Sequence, residues 1–130
     1  MRGEEYLTKP QQYASVYSKG SSWVSTLLIM KTLPSGLALS RYGFSVSKRV
    51  GKAVTRNRVK RLLRAILRMM PLKSGWDIVF IARPAVATAD YAGLKSTVEN
   101  LLSRANLLDT GEEKDSLAEA RAESNGEAAI

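Results

Sequence analysis

Hydrophobic positions along the chain change period several times, and each change marks an element. Tyr13, Val16 and Tyr17 recur at helical spacing, with Thr8 as N-cap, Pro10 in the first turn and Gln11 completing a capping box. Gly20 closes this helix. Trp23 to Leu33, rich in β-branched and large apolar side chains, predicts a strand. Pro34-Ser35-Gly36 then turns the chain, and a second strand runs to about Val46. In its second half Tyr42, Phe44 and Val46 alternate with Gly43, Ser45 and Ser47, so the two sets face opposite ways. From about residue 52 to 69 the period lengthens again. Val59, Leu62, Leu63, Ile66, Leu67 and Met70 make one apolar arc of a helix, which Pro71 ends. Trp76 to Ala82 is apolar on both faces apart from Asp77, as in a central strand covered on both sides, and Pro84 stops it. A last helix starts near Thr88 or Asp90 and places Tyr91, Leu94, Val98, Leu101, Leu102 and Ala105 on one face.

The order α-β-β-α-β-α predicts an α/β (α+β) sandwich around a small mixed β-sheet, with a right-handed parallel crossover by default. A length of 130 residues, 45% of them hydrophobic, suits one domain with a modest core. The chain has no Cys, which removes disulfides, thiolate metal sites and cysteine nucleophiles. It has no His, and so lacks the usual neutral-pH acid or base and the commonest metal ligand. No apolar stretch approaches the ~20 residues of a membrane helix, so no membrane role is expected. Met1-Arg2-Gly3-Glu4-Glu5 leads into no apolar run and does not read as a signal peptide; a cytoplasmic protein is expected.

Charge divides the chain in two. The formal net charge is +8, from 20 Lys and Arg against 12 Asp and Glu. Residues 109–130 hold seven of the acids and two of the bases, Lys114 and Arg121, and no aromatic residue. That composition cannot bury enough apolar surface to offset ordering entropy, so 109–130 is expected to be an acidic, disordered tail. Residues 1–108 form the domain, and carry 18 bases against five acids.

The bases are densest from Lys48 to Arg68: Lys48, Arg49, Lys52, Arg56, Arg58, Lys60, Arg61, Arg64 and Arg68, with no acid among them. On a helical wheel Arg56, Lys60, Arg64 and Arg68 advance by about 40° each, Asn57 and Arg61 join the same flank, and Arg58 sits apart near the edge of the apolar arc. A solvated face usually mixes Glu with Lys, because like charges at i,i+4 repel by a few tenths of a kcal/mol per pair. A stripe of one sign points to a polyanion, and the Arg fork suits phosphate. No second helix lies a short turn away, as a helix-turn-helix DNA reader would need, so a reader of RNA backbone and shape is favoured.

Gly51-Lys52-Ala53-Val54-Thr55-Arg56-Asn57-Arg58-Val59-Lys60-Arg61-Leu62-Leu63-Arg64 resembles the bacterial ribonuclease P protein family, with its Arg-Asn-Arg signature between a Gly-x-Ala-Val lead-in and Lys-Arg-x-x-Arg. The segments Gly43 to Val50 and Asp77 to Pro84 are similar to the family's strands, and the resemblance spans roughly residues 7–106. It implies a left-handed βαβ crossover in place of the default. It also implies the protein subunit of a ribonucleoprotein endonuclease that binds a catalytic RNA and precursor tRNA and removes the 5′ leader. Arg56, Asn57, Arg58, Lys60, Arg61 and Arg64 match the RNA-facing signature, and Lys48, Arg49 and Lys52 the loop leading into it. A cleft between the first helix and the sheet holds the leader in the family, which places Tyr13, Tyr17, Lys31, Ser45 and Ser47 there. For Tyr13 and Tyr17 two readings stand: rings for base stacking, or core aromatics under the sheet. Two departures are visible. The stretch Met1 to Leu7 has only one base, Arg2, against two acids, Glu4 and Glu5, where family members are often basic, and Lys31 stands where an aromatic is common.

The five acids of the body, Glu4, Glu5, Asp77, Asp90 and Glu99, form no cluster of the kind a two-metal phosphodiesterase needs. No catalytic residue and no metal site is expected in the chain itself. The resemblance assigns the chemistry to the RNA, which holds most of the Mg²⁺. A structural RNA-binding protein without a link to catalysis and a protein-only nuclease are the rival readings.

Overall fold

A computed structural model describes residues 6–109. The arm Met1 to Glu5 and the acidic segment from 110 to 130 lie outside the described residues. The elements are α1 (Pro10–Lys19), β1 (Ser21–Val24), β2 (Leu28–Pro34), β3 (Arg41–Ser45), α2 (Ala53–Arg68), β4 (Trp76–Ala82), a 3₁₀ segment (Pro84–Thr88) and α3 (Tyr91–Arg104). The order is α-β-β-β-α-β-α, one strand more than the hydrophobic pattern predicts. The run Trp23 to Leu33 is not one strand: Ser25 N–H donates to Leu28 O at 2.8 Å and folds it into the β1–β2 hairpin.

The sheet order is β1-β2-β4-β3. β1 pairs antiparallel with β2, β2 antiparallel with β4, and β3 parallel with β4, so the sheet is mixed and α2 lies on the β3–α2–β4 crossover. β4 is internal, and Ile78, Val79 and Phe80 are fully buried, which explains its apolar character on both faces. One face carries Leu28, Met30, Ile78 and Phe80, and packs on Val59, Leu63 and Ile66 of α2 and Leu94, Val98, Leu101 and Leu102 of α3. The opposite face is covered over part of its width by α1, where Val16, Leu7 and Val79 form a second, smaller core.

Local signals fix the ends of the helices. α1 begins one residue later than expected: Lys9 is the N-cap, Pro10 opens the first turn, and Gln12 Oε1 accepts from the N–H groups of Thr8 at 2.8 Å and Lys9 at 2.9 Å. In α3 Asp90 is the N-cap, its Oδ1 accepting from Gly93 N–H at 2.8 Å. At the end of the body Leu107 is buried, and Asp109 N–H reaches back to Pro71 O.

Candidate nucleic-acid interface

α2 is built largely from residues that favour helix, and its apolar arc is consumed by the core, which leaves most of the cations on the outer side. Asn57, Arg61, Arg64 and Arg68 are exposed, and Arg56 and Lys60 half-buried. Among the described residues none of the nine bases between 48 and 68 is paired with a carboxylate. Arg58 is placed differently: its Nη2 donates to Ala89 O at 2.8 Å and ties α2 to the chain just ahead of α3. One edge of its fork therefore serves the fold, while further N–H groups remain on the guanidinium. Arg56 Nε is buried and without a partner.

The lead-in to α2 is a tight turn. Val50 N–H donates to Ser47 O at 3.0 Å and Gly51 N–H to Lys48 O at 3.2 Å. Gly51 has φ +152°, and a Cβ there would meet the Thr55 side chain at 3.1 Å, so glycine is required. The turn presents Lys48, Arg49 and Lys52 to solvent at the N-terminal end of α2. Cations at that end oppose the helix dipole, and no acid in the first turn relieves them.

On the α1 side the strand register sets the surface on which the resemblance places a cleft. Ser22, Lys31, Val79 and Gly43 form one row across the sheet, and Tyr13 lies over the end of that row: a Cβ on Gly43 would fall 2.6 Å from its ring. Tyr13 is half-buried, its hydroxyl donates to Leu7 O at 3.4 Å, and loss of water around it raises its pKa above the ordinary value. Tyr17 is exposed, 6.4 Å from Tyr13 between ring centroids. The two tyrosines thus divide the readings left open by sequence: Tyr13 is wedged on the sheet with part of its ring free, and Tyr17 stands clear.

Lys31 Nζ donates to Ser22 Oγ at 2.8 Å within the same row. The next row is Val24, Ile29, Ile81 and Ser45, with Val24 exposed and the other three half-buried. The floor is therefore more apolar than Gly43 and Ser45 alone suggest. Ile29 and Ile81 were not singled out from sequence, because only the cross-strand register brings them beside Ser45. Ser47 lies beyond the end of β3, exposed in the turn, where its Oγ accepts from Arg49 N–H at 3.3 Å.

Asp77, the buried acid of the body, is held by a bidentate pair: Arg41 Nε to Oδ1 and Nη2 to Oδ2, both 2.8 Å. Among the described residues no group of three His, Cys, Asp or Glu side chains could hold a metal ion, and no helix is long and apolar enough to cross a membrane.

Comparisons with known proteins bear on the family and the fold. A family model described as Ribonuclease P matches residues 1–106. The ribonuclease P protein component of Dehalococcoides mccartyi strain CBDB1 is 50% identical over 116 residues, covering 89% of this chain and 97% of that protein. The same component of Caldanaerobacter subterraneus is 43% identical, covering 82% and 93%. Among solved structures, the RNase P protein of Staphylococcus aureus superposes with a TM-score of 0.74 at 26% identity, covering 81% of this chain and 98% of that one. The RNase P protein from Thermotoga maritima gives 0.71 at 28% identity, covering 77% and 96%. The chain belongs to the bacterial ribonuclease P protein family, the protein component of a ribonucleoprotein endonuclease of tRNA processing.

Proposed function

We propose that the cationic face of α2 and the turn before it bind the catalytic RNA of ribonuclease P, and that the cleft between α1 and the sheet takes the 5′ leader of precursor tRNA. The observation that carries this reading is the single-sign charge from Lys48 to Arg68, unpaired among the described residues and displayed by a helix whose other side is locked into the core. Such a face is destabilised by its own repulsion and is relieved when phosphates replace the missing acids. Arg56, Asn57, Lys60, Arg61 and Arg64 make the principal contacts, Lys48, Arg49 and Lys52 extend them, and Arg58 contributes the part of its fork that Ala89 leaves free. In the cleft, Tyr17 stacks on a leader base, Tyr13 offers the exposed part of its ring, Lys31 takes a phosphate, and Ser45 and Ser47 lie along the path.

The protein works by neutralising phosphates so that two polyanions can approach and by holding the leader in register, a proximity effect. Phosphodiester hydrolysis and most of the Mg²⁺ are assigned to the RNA, as the family resemblance implies, and among the described residues no carboxylates converge to hold a metal. The domain that does this is residues 1–108, with 109–130 an acidic appendage. Reconstitution with the cognate RNA is the test. The protein lowers the Mg²⁺ concentration needed for precursor tRNA cleavage, and Arg56→Gln with Arg61→Gln removes that effect. Cleavage that needs as much Mg²⁺ with the wild-type protein as without it overturns the proposal.

A further inference from the structure

A second concavity lies around the outer edge of β3 and adjoins the α1 side of the sheet at Tyr13 and Gly43. Tyr6 forms an isolated parallel bridge with Tyr42, and Leu7 N–H donates to Tyr42 O at 2.7 Å, so the segment ahead of α1 runs along that edge. The cavity there has a volume of about 380 Å³ and is lined by Tyr6, Tyr13, Tyr42 and Phe44, with Lys60 and Arg64 reaching in from α2. Tyr42 and Phe44 point to the opposite side of the sheet from Gly43 and Ser45, so this space wraps around the strand edge and meets the leader floor at Gly43 and Tyr13.

The lining combines two chemistries. Tyr6 meets Tyr42 at 6.0 Å and 70°, and Phe44 at 6.4 Å and 63°, so neither pair is stacked face to face. Among the described residues no carboxylate lines the cavity to balance Lys60 and Arg64. Aromatic rings beside two cations suit a flat, π-rich group joined to an anion, and the volume falls near the lower end of the ~300–1,000 Å³ of small-ligand pockets. We propose that this cavity is a nucleotide subsite beside the leader path, which takes one unstacked RNA base against Tyr6 and Phe44 and its phosphate on Lys60 and Arg64. It rests on the RNA-binding reading above and adds a base-stacking contact to a surface otherwise expected to see only phosphates.

The full chain is titrated with adenosine 5′-monophosphate, ribose 5-phosphate and inorganic phosphate, and side-chain signals are followed by NMR. Adenosine 5′-monophosphate moves the rings of Tyr6 and Phe44 and binds more tightly than ribose 5-phosphate, by about 5- to 100-fold for one stacked base. Tyr6→Ala abolishes that difference, Tyr6→Phe keeps it, and Arg64→Gln weakens both ligands. In the holoenzyme the source of the base separates cleanly. If it belongs to the catalytic RNA, Tyr6→Ala weakens assembly; if it belongs to the leader, Tyr6→Ala weakens precursor tRNA over mature tRNA and leaves assembly alone. Equal binding of adenosine 5′-monophosphate and ribose 5-phosphate, or ring shifts confined to Tyr13 and Tyr17, overturns the subsite while normal assembly leaves the RNA-binding reading standing.

Discussion

Gly43 and Tyr13 share one volume: a Cβ on Gly43 would lie 2.6 Å from the Tyr13 ring edge and 2.7 Å from its hydroxyl oxygen. Gly43 is buried in β3 and its φ is not in the left-handed region, so the glycine is required by the ring above it and not by backbone conformation. Gly43→Ala therefore forces Tyr13 to swing out or β3 to move. The expected cost is about 1–3 kcal/mol of stability, measured by urea denaturation. In a Tyr13→Ala background the same substitution costs much less, and this coupling is the specific outcome. Equal costs in both backgrounds would show that the ring does not set the requirement for glycine.

Arg58 and Arg61 are three residues apart on α2 and separate fold from binding. Arg58→Gln loses the bond to Ala89 O that ties α2 to the start of α3, and is expected to lower stability by about 1 kcal/mol. Arg61 is exposed and unpaired with any described acid, so Arg61→Gln leaves the denaturation midpoint within error and weakens binding of the catalytic RNA. Paired denaturation and filter-binding curves distinguish the two. A stability loss from Arg61→Gln equal to that from Arg58→Gln contradicts the division.

Salt measures how many phosphates the α2 face neutralises. If about five of its cations each displace counterions, log K falls with log salt with a slope of roughly −3.5 to −4.5. Arg61→Gln makes the slope shallower by about 0.7–0.9, as expected for one phosphate contact. A slope near zero, with affinity retained, would mean that the charged face is not the interface.

The elements that could be read from the chain are those whose signals are local. The α2 arc of Val59, Leu63, Ile66 and Leu67 is buried as its period requires, and Asp90 caps α3 through its own side chain. The β1–β2 hairpin was not legible, because Ser25-Thr26-Leu27 contains no Gly, Pro or Asn to mark a turn. Its ends are held instead from far along the chain, by Arg83 Nη1 on Ser25 O at 3.0 Å and Arg104 Nη1 on Val24 O at 2.9 Å. The candidate site divides in the same way. The charges between Lys48 and Arg68 are consecutive in sequence and need only one helix to display them. Ile29, Ile81 and Ser45 become neighbours only through the pairing of β2, β4 and β3, and Tyr6 meets Phe44 only because the segment before α1 docks on the β3 edge. Arg58, which resembles its neighbours in sequence, is turned inward by a carbonyl 31 positions away.

Burial raises the Tyr13 pKa above the ordinary value of 10.0, an effect opposed by a hydrogen bond at Phe44 and aided by nearby Tyr17. A group whose folded pKa is raised contributes stability that is complete below its unfolded pKa and disappears as pH rises through the folded value. Wild-type protein therefore loses stability above about pH 10 more steeply than Tyr13→Phe, which has no proton to lose. Denaturation midpoints taken across that range should diverge upward in pH. Parallel curves would mean that the Tyr13 phenol is as well solvated folded as unfolded.

Asp77 is the buried acid of the described body, and its carboxylate is committed to the fold. Both of its oxygens are taken by Arg41 at 2.8 Å, and the bond to Asp77 raises the Arg41 pKa above its usual value, so the guanidinium is charged at every accessible pH. With the Asp77 side chain 8% exposed and that of Arg41 21%, removing the carboxylate strands a partly desolvated cation between β3 and β4. Asp77→Asn should cost about 2–4 kcal/mol, toward the lower part of what a broken buried pair loses. If the pair is structural, reconstituted holoenzyme with saturating Asp77→Asn protein, below its unfolding temperature, cleaves precursor tRNA at the wild-type rate and with the wild-type Mg²⁺ dependence. A changed Mg²⁺ dependence in fully folded Asp77→Asn holoenzyme would instead place this carboxylate in the metal chemistry, and would revive the reading in which the protein, and not the RNA alone, supplies catalytic groups.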